Sequence, residues 1–328
     1  MKRLKVAVVG FGVMGRNHAG VYAVLPHTDL VAVVDPSEER RAEAAQRFAV
    51  QTFPDVGAML ARLGGQLDAV SVAAPTSYHY PLTETLLKAG LHVLVEKPVA
   101  TNVQHAERLV ALSRRLGLTL QVGHITRFYQ AVELLGKRIT CPYLIEARRL
   151  TPNARIKDVG VILDLMIHDI DIVLGIVPGP ITGVSVAGHV LNGDPHEDVA
   201  AAQITFQNGC IARFLASRVA PDAERTLVVA EPQQTLRVDF GKEPHTEVSV
   251  YRPIAEAQGR SEVRLDRVVV HEDNPLRREL EHFLARIRRS APPIGTLDDD
   301  LRSLKLATQL IEQLKVQRYE RGAVPVLA

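Results

Sequence analysis

Apolar residues fall into two textures along this chain. Over roughly the first 122 positions, short runs apolar at almost every position alternate with stretches of helical periodicity; the runs are residues 4–9, 30–34, 69–73, 92–95 and 119–122. Such runs are strands buried on both faces, and their alternation with helices predicts a parallel sheet covered on both sides. The helical stretches reach to about residue 25 and then cover residues 38–48, 56–63, 80–88 and 103–115. Ser37 and Asp55 stand where N-caps belong, and Gly90 stands where a helix ends.

After about residue 123 the texture changes. A strand at 143–150 leads into a loop with Thr151, Pro152, Asn153, Arg155 and Lys157, then into a helix at 160–174. Strand-like runs follow without helices between them, at 181–190, 199–206, 210–219, 226–230, 235–240 and 247–251. Asn192-Gly193-Asp194 and Asn208-Gly209 mark turns, and residues 255–262 read as polar loop. Helices at 274–290 and 297–317, separated by Pro292-Pro293, close the chain. This half predicts an α+β domain on a largely antiparallel open sheet, one face on the buried helix and the other left for a partner subunit. The fold class expected is α/β plus α+β, with a doubly wound parallel sheet in residues 1–122 and the second domain in residues 123–328. The last helices could pack back on the first domain.

The first strand runs directly into Gly10-Phe11-Gly12-Val13-Met14-Gly15, the spacing GxGxxG between a strand and a helix. An acidic residue, Asp35, ends the next strand about 20 residues on, which is the context a dinucleotide fingerprint requires. The first glycine permits the tight turn, the second admits the pyrophosphate, and the third lets helix and strand pack closely. Asp35 would accept hydrogen bonds from the adenosine ribose and repel a 2′-phosphate, which favours NAD over NADP. Arg40 and Arg41 stand close enough to complicate that choice. In parallel sheets ligands bind beyond the carboxyl ends of strands. Ala74-Pro75-Thr76, His79, Glu96-Lys97 and His124 all fall just past such ends.

The helix at 160–174 is apolar nearly all round, yet it carries Asp164, His168, Asp169 and Asp171. At 3.6 residues per turn, Asp164, His168 and Asp171 share one face. A carboxylate one turn from a histidine can hold the imidazole in one tautomer and raise its basicity, as a general base needs. A first-turn carboxylate beside a satisfied core histidine is the structural alternative.

Composition excludes several classes. The 328 residues are 46% hydrophobic and 23% charged with a net charge of +2, too balanced for a nucleic-acid binder. No apolar run is long enough to span a bilayer, and the glycines at 10, 12 and 15 interrupt a faint signal-like start at Lys2, Arg3 and Lys5. Two distant cysteines, Cys141 and Cys210, offer neither a disulfide framework nor a metal cluster. The expectation is a cytoplasmic protein without a metal.

Gly10 to Gly15 with Asn17-His18, Ala74-Pro75-Thr76 with His79, Glu96-Lys97-Pro98, and Asp164 with His168-Asp169 resemble, in order, the motifs of the Gfo/Idh/MocA family. These are glucose-fructose oxidoreductase and inositol dehydrogenase-like enzymes of sugars and cyclitols. The resemblance implies a Rossmann domain followed by a sheet domain that forms a homodimer or homotetramer. It implies that Gly10, Phe11, Gly12, Val13, Met14, Gly15, Asp35, Ala74, Pro75, Thr76, His79, Glu96 and Lys97 bind NAD. It also implies a proline often preceded by a cis peptide at Pro98, and Lys97, Asp164 and His168 as the catalytic groups. His124, Arg127 and Arg155, with the catalytic groups, would line a sugar or nucleotide-sugar site. Asp158-Val159-Gly160 to Asp171, Asn153-Ala154-Arg155, Asn208-Gly209-Cys210 and Ala216-Ser217-Arg218 look like the branch that oxidises C3 of UDP-N-acetylglucosamine.

For that chemistry His168, oriented by Asp164, would take the hydroxyl proton while Lys97 donates to the developing alkoxide. Alternatively Lys97, deprotonated beside the positive nicotinamide ring, would itself be the base. Arg127, Arg155, Lys157 and Arg218 could grip a diphosphate, since a guanidinium presents a fork to phosphate. A dehydrogenase of a free sugar or cyclitol would not need Arg155, Lys157 and Arg218. A cofactor-binding regulator would not need Lys97, Asp164 and His168.

Overall fold

The computed structural model describes residues 2–152, 158–191, 195–241, 245–257, 260–271 and 274–321. In chain order the first elements are β1 (Leu4–Val9), α1 (Val13–Val24), β2 (Thr28–Val34), α2 (Glu38–Phe48), β3 (Gln51–Phe53) and α3 (Val56–Leu63). They are followed by β4 (Ala69–Val72), α4 (His79–Lys88), β5 (His92–Glu96), α5 (Val103–Leu116), β6 (Leu120–Gly123) and α6 (Gln130–Arg138). Next come β7 (Leu144–Pro152), a π-helical turn (Ile162–Met166), α7 (Ile167–Ile176), β8 (Ile181–His189), β9 (Val199–Phe206) and β10 (Ile211–Ser217). The chain ends with β11 (Val219–Glu231), β12 (Gln234–Asp239), β13 (His245–Ala257), β14 (Arg260–His271), α8 (Pro275–Ile287) and α9 (Leu297–Arg321).

Two compact units result. The first comprises Met1–Phe128 and Asn274–Leu301, the second Tyr129–Asp273 and Arg302–Ala328. In the first unit six parallel strands lie in the order β3-β2-β1-β4-β5-β6, the doubly wound arrangement that reverses direction between β1 and β4. The two expected N-caps form: Ser37 accepts from the Arg40 N–H and Asp55 from Ala58; Asn102, not anticipated, accepts from His105. The late helix α8 is part of this unit. Its Leu276, Leu280, Phe283 and Leu284, at helical spacing, join a core with Val6, Val8, Phe11 and Tyr22. This segment is remote in sequence from residues 1–122 and shares their core, the packing the sequence left open for the last helices.

The second unit is an eight-stranded sheet in the order β14-β13-β12-β11-β7-β10-β9-β8. It is antiparallel except between β7 and β10. Alternation along β7, β9, β10 and β12 buries one face, with Ile145, Ala202, Ile204, Phe214, Leu227 and Val238 among its core. The π turn and α7 pack against β10 and β7.

Three sequence expectations are corrected here. The helix at 160–174 is not uniform: it opens with a π-helical turn before the α-helical register begins at Ile167. Asp164 lies in that wider turn, so the 3.6-residue argument for a shared face does not carry through it. Of the loop expected at 255–262, β13 continues to Ala257 and β14 starts at Arg260, while residues 258–259 lie outside the described residues. Polarity there did not mean loop, because hairpin pairing needs only backbone partners. The third correction is omission: β3, α6 and β14 were not anticipated. The turn expected at 192–194 lies outside the described residues.

Candidate functional site

The carboxyl ends of β1, β2, β4, β5 and β6 gather the candidate groups of the first unit. Gly10 adopts φ +87°, and a Cβ there would stand 2.6 Å from the Ala73 carbonyl oxygen. A Cβ on Gly15 would collide with the Gly10 carbonyl, so helix α1 approaches β1 only because that side chain is hydrogen. Gly12 differs: a Cβ there would meet nothing within 4 Å. Its open side faces space rather than protein. Gly12 is also the N-cap of α1 and supplies no side-chain cap, and the first turn has no acidic residue. These features fit a pyrophosphate at a helix N-terminus. Phe11 is fully buried, edge-on to Phe48, while Val13 is exposed and Met14 is half-buried.

Asp35 ends up more enclosed than the fingerprint alone implies, at 2% exposure. Its Oδ2 accepts from the Phe11 N–H at 2.7 Å and its Oδ1 from the Ser37 N–H at 2.9 Å. Each oxygen retains a second acceptor position, so a ribose hydroxyl can still be received. Arg40 stands 3.6 Å from the same carboxylate, and Arg41 donates to the carbonyls of Asp35 and Pro36.

After β4, Ala74 is half-buried, Pro75 exposed and Thr76 buried. His79, 1% exposed, joins this loop to the one after β5, with Nε2 2.9 Å from the Ala74 carbonyl and Nδ1 2.7 Å from the Pro98 carbonyl. Lys97 is half-buried, and its peptide to Pro98 is cis. Beside it, Glu96 Oε1 lies 2.9 Å from His18 Nε2, and Gly123 leaves the room its carboxylate needs. Burial raises the pKa of Glu96. The hydrogen bond to His18 and the charges of His18, Lys97 and His79 outweigh that and hold it below the usual carboxylate range.

Two further carboxyls occupy this unit. Glu279 of α8 is fully buried, and burial together with the charge of Glu96 pushes its pKa well up, against the opposing pull of Arg127. Asp300 engages Arg127, whose Nη2 lies 2.7 Å from Oδ1, and sits 3.8 Å from His124 Nε2. Arg127, expected to face a phosphate, thus has an ion pair within its own unit. Glu279 left a readable trace, since it interrupts the apolar stripe of Leu276, Leu280 and Phe283. Asp300, within the Asp298-Asp299-Asp300 run, left none.

In the second unit Asp164 is buried within the π turn and His168 is half-buried at the start of α7. The other two carboxylates of this helix have separate duties. Asp169 accepts both arms of buried Arg149, at 3.0 and 2.7 Å. Burial opposes the Arg149 charge, but Asp169 outweighs it and raises the guanidinium pKa. Asp171 accepts from Ser303 Oγ at 3.0 Å. Arg218 is 8% exposed and pairs with Asp198 at 2.5 Å. Arg155 and Lys157 lie outside the described residues.

The family model for the NAD-binding Rossmann fold of the Gfo/Idh/MocA oxidoreductases matches residues 4–124, and that for a C-terminal domain of the same family matches residues 140–239. The chain is 34% identical to the UDP-N-acetylglucosamine 3-dehydrogenase of Acidithiobacillus ferrooxidans over 297 residues, 89% of this chain and 91% of that one. A solved structure of that enzyme superimposes with a TM-score of 0.85, covering 96% of this chain and 99% of the other at 31% identity. The NAD(+)-dependent scyllo-inositol 2-dehydrogenase of Bacillus subtilis is 27% identical over 90% of this chain and 89% of its own. With both halves matched in order and the glycine cradle built to admit a dinucleotide, this chain belongs to the Gfo/Idh/MocA family of oxidoreductases.

Proposed function

We propose that the protein oxidises the C3 hydroxyl of UDP-N-acetylglucosamine to the 3-keto sugar, with NAD as acceptor. The similarity that carries this reading is the 34% identity to a UDP-N-acetylglucosamine 3-dehydrogenase over nearly the full length of both chains. NAD is favoured over NADP because two backbone N–H groups fix the Asp35 carboxylate at the end of β2, where a 2′-phosphate would meet negative charge.

A dinucleotide held by the glycine loop and Asp35 would supply the carbon that accepts hydride. The protein's own groups hold and move the proton. His168, oriented by Asp164, accepts the C3 hydroxyl proton, and Lys97 donates a hydrogen bond to the oxygen as its charge develops. Exchange of those two roles, with Lys97 as base, is the variant mechanism. Glu96 and His18 form the buried pair next to Lys97 in sequence and hold the end of β5 in place.

A second reading, a dehydrogenase of a free sugar or cyclitol, is favoured by one observation. Arg127 and Arg218, two of the cations expected to grip a diphosphate, are instead engaged by Asp300 and Asp198. The protein is further proposed to act in the cytoplasm as a homodimer or homotetramer through the open face of its eight-stranded sheet. Among the described residues no helix is long and apolar enough to cross a membrane.

Reduction of enzyme-stoichiometric NAD, followed by near-ultraviolet absorbance with UDP-N-acetylglucosamine and myo-inositol in parallel, tests the assignment. Signal with the nucleotide sugar, abolished in Lys97→Ala, is expected. Signal with inositol alone would transfer the assignment to the second reading, and faster reduction of NADP would overturn the cofactor choice.

A further inference from the structure

The helix that bears Asp164 and His168 begins inside protein. Val159, Val161 and Ile162 are 4%, 1% and 0% exposed, so water does not reach the N–H groups of its first turn. A helix leaves such groups without intrahelical partners, and a buried N–H without an acceptor is costly. The local sequence does not supply the cap: Val161 precedes the π turn and has no side chain able to accept.

The partner comes from 35 residues further on. Glu197, 5% exposed and just ahead of β9, accepts the Val161 N–H at its backbone carbonyl (3.1 Å) and the Ile162 N–H at Oε1 (3.0 Å). Its carboxylate lies flat over Gly160, where any Cβ would collide with it. Gly160 in turn accepts the Asp164 N–H at 3.0 Å, so the seat of Glu197 and the backbone of Asp164 are two bonds of one short span.

Glu197 is itself anchored. The neighbouring Asp198, wholly buried, receives the Leu191 N–H at 2.6 Å, and its carboxylate takes Arg218 Nε at 2.5 Å. Arg218 also donates to the Val159 carbonyl at 3.2 Å. Glu197 directly, and Asp198 through Arg218, therefore hold residues 159–162. The negative carboxylate at the helix N-terminus also complements the helix dipole.

We propose that Glu197 is a positioning residue for the reaction, acting through the helix start to fix where Asp164 and His168 stand, with Gly160 conserving the space its carboxylate needs. The inference rests on the proposed roles of Asp164 and His168. A misplacement of about 1 Å in a reacting group can cost on the order of 100-fold in rate. The cap therefore matters more to turnover than to NAD affinity, which is the province of the first unit.

The test compares Glu197→Ala, Glu197→Gln and Gly160→Ala in the full chain, with His168→Ala alongside. Two readouts are taken: kcat for UDP-N-acetylglucosamine and NAD, and amide hydrogen exchange over residues 159–166. Glu197→Ala should lower kcat at least about tenfold with the NAD dissociation constant unchanged, and should speed exchange in that peptide. Glu197→Gln, which keeps an accepting oxygen, should restore both to within about threefold of the parent. Gly160→Ala, which keeps the glutamate but fills its seat, should behave like Glu197→Ala. Should Glu197→Ala fail to fold, the glutamine and Gly160→Ala variants carry the comparison. Unaltered exchange and kcat in Glu197→Ala or Gly160→Ala would overturn the proposal, as would a glutamine variant no better than alanine. If His168→Ala retains full activity, the reading of the helix falls instead, and the exchange data still decide whether Glu197 caps it.

Discussion

Glu279 is a carboxyl on the apolar stripe of α8, and neither of its oxygens has a hydrogen-bond partner among the described residues. Burial and the charge of Glu96 raise its pKa far above the ordinary 4.5. A group whose folded-state pKa is raised favours folding fully only below its unfolded value. That contribution is lost as pH climbs toward the folded value, because the folded state must then either keep the proton or bury a charge. Glu279→Gln keeps the shape and removes the proton equilibrium. It should raise the melting temperature by a few degrees at pH 8 and change little near pH 4. Thermal unfolding of the two proteins across that range reads the sign directly; an equal gain at both pH values would show that titration is not the cause. Glu96, its neighbour, has the opposite tendency, and the difference between the two proteins cancels it to first order. Sequence reading found the His18, Glu96 and Lys97 positions through motif order but could not pair His18 with Glu96, 78 residues apart.

At the level of elements, the glycine loop separates stability from binding within six residues. Gly15 is required by packing, since a Cβ there strikes the Gly10 carbonyl, whereas Gly12 faces open space. Gly15→Ala should lose about 1–3 kcal/mol of stability, in the range of overpacking. Gly12→Ala should melt as the parent does yet bind NAD at least about tenfold more weakly, because the methyl occupies the pyrophosphate approach. Differential scanning calorimetry and NAD titration distinguish the two, and equal loss of stability in both would defeat the assignment. Five strands of the parallel sheet were legible because each is a nearly continuous apolar run; β3, Gln51-Thr52-Phe53, was not, because it is short and polar. The π turn at Ile162–Met166 was not, because its residues are as apolar as those of any buried α-helix and nothing local records a change of hydrogen-bond register. Strand β14 alternates only over Val263, Arg264, Leu265 and Asp266 before Arg267 breaks the pattern, and its partner β13 was needed to make it a strand.

For the whole molecule, the proposed homodimer or homotetramer is assigned to the outward face of the eight-stranded sheet. Ala187, Ala201, Leu215, Arg148 and Thr226 lie side by side in register across five strands. The face is a shallow concavity of about 750 Å³, with Arg148 paired to Glu224 and Arg213 to Glu146. Small side chains flanked by already matched charges let a second sheet approach closely. Ala201→Glu sets an unpaired carboxylate in the middle of that row and should reduce the mass seen by light scattering to that of one chain. An unchanged oligomer would place the interface elsewhere.

What the sequence determined by itself is what is written locally: buried strands in alternation with helices, a glycine loop at the end of the first, an acid at the end of the second, and the motif order of a family. These depend on spacing within a few residues, and spacing is printed along the chain. Tertiary structure decided what depends on partners from remote segments. It returned α8 to the first unit, where four of its apolar residues complete the core. It assigned Asp169 to Arg149, Arg127 to Asp300 and Arg218 to Asp198. It also brought Glu197 to the start of the helix bearing Asp164 and His168. Carboxylates and guanidiniums look alike in sequence whether they will bind a ligand or each other, and only the folded chain reveals which charge each one meets.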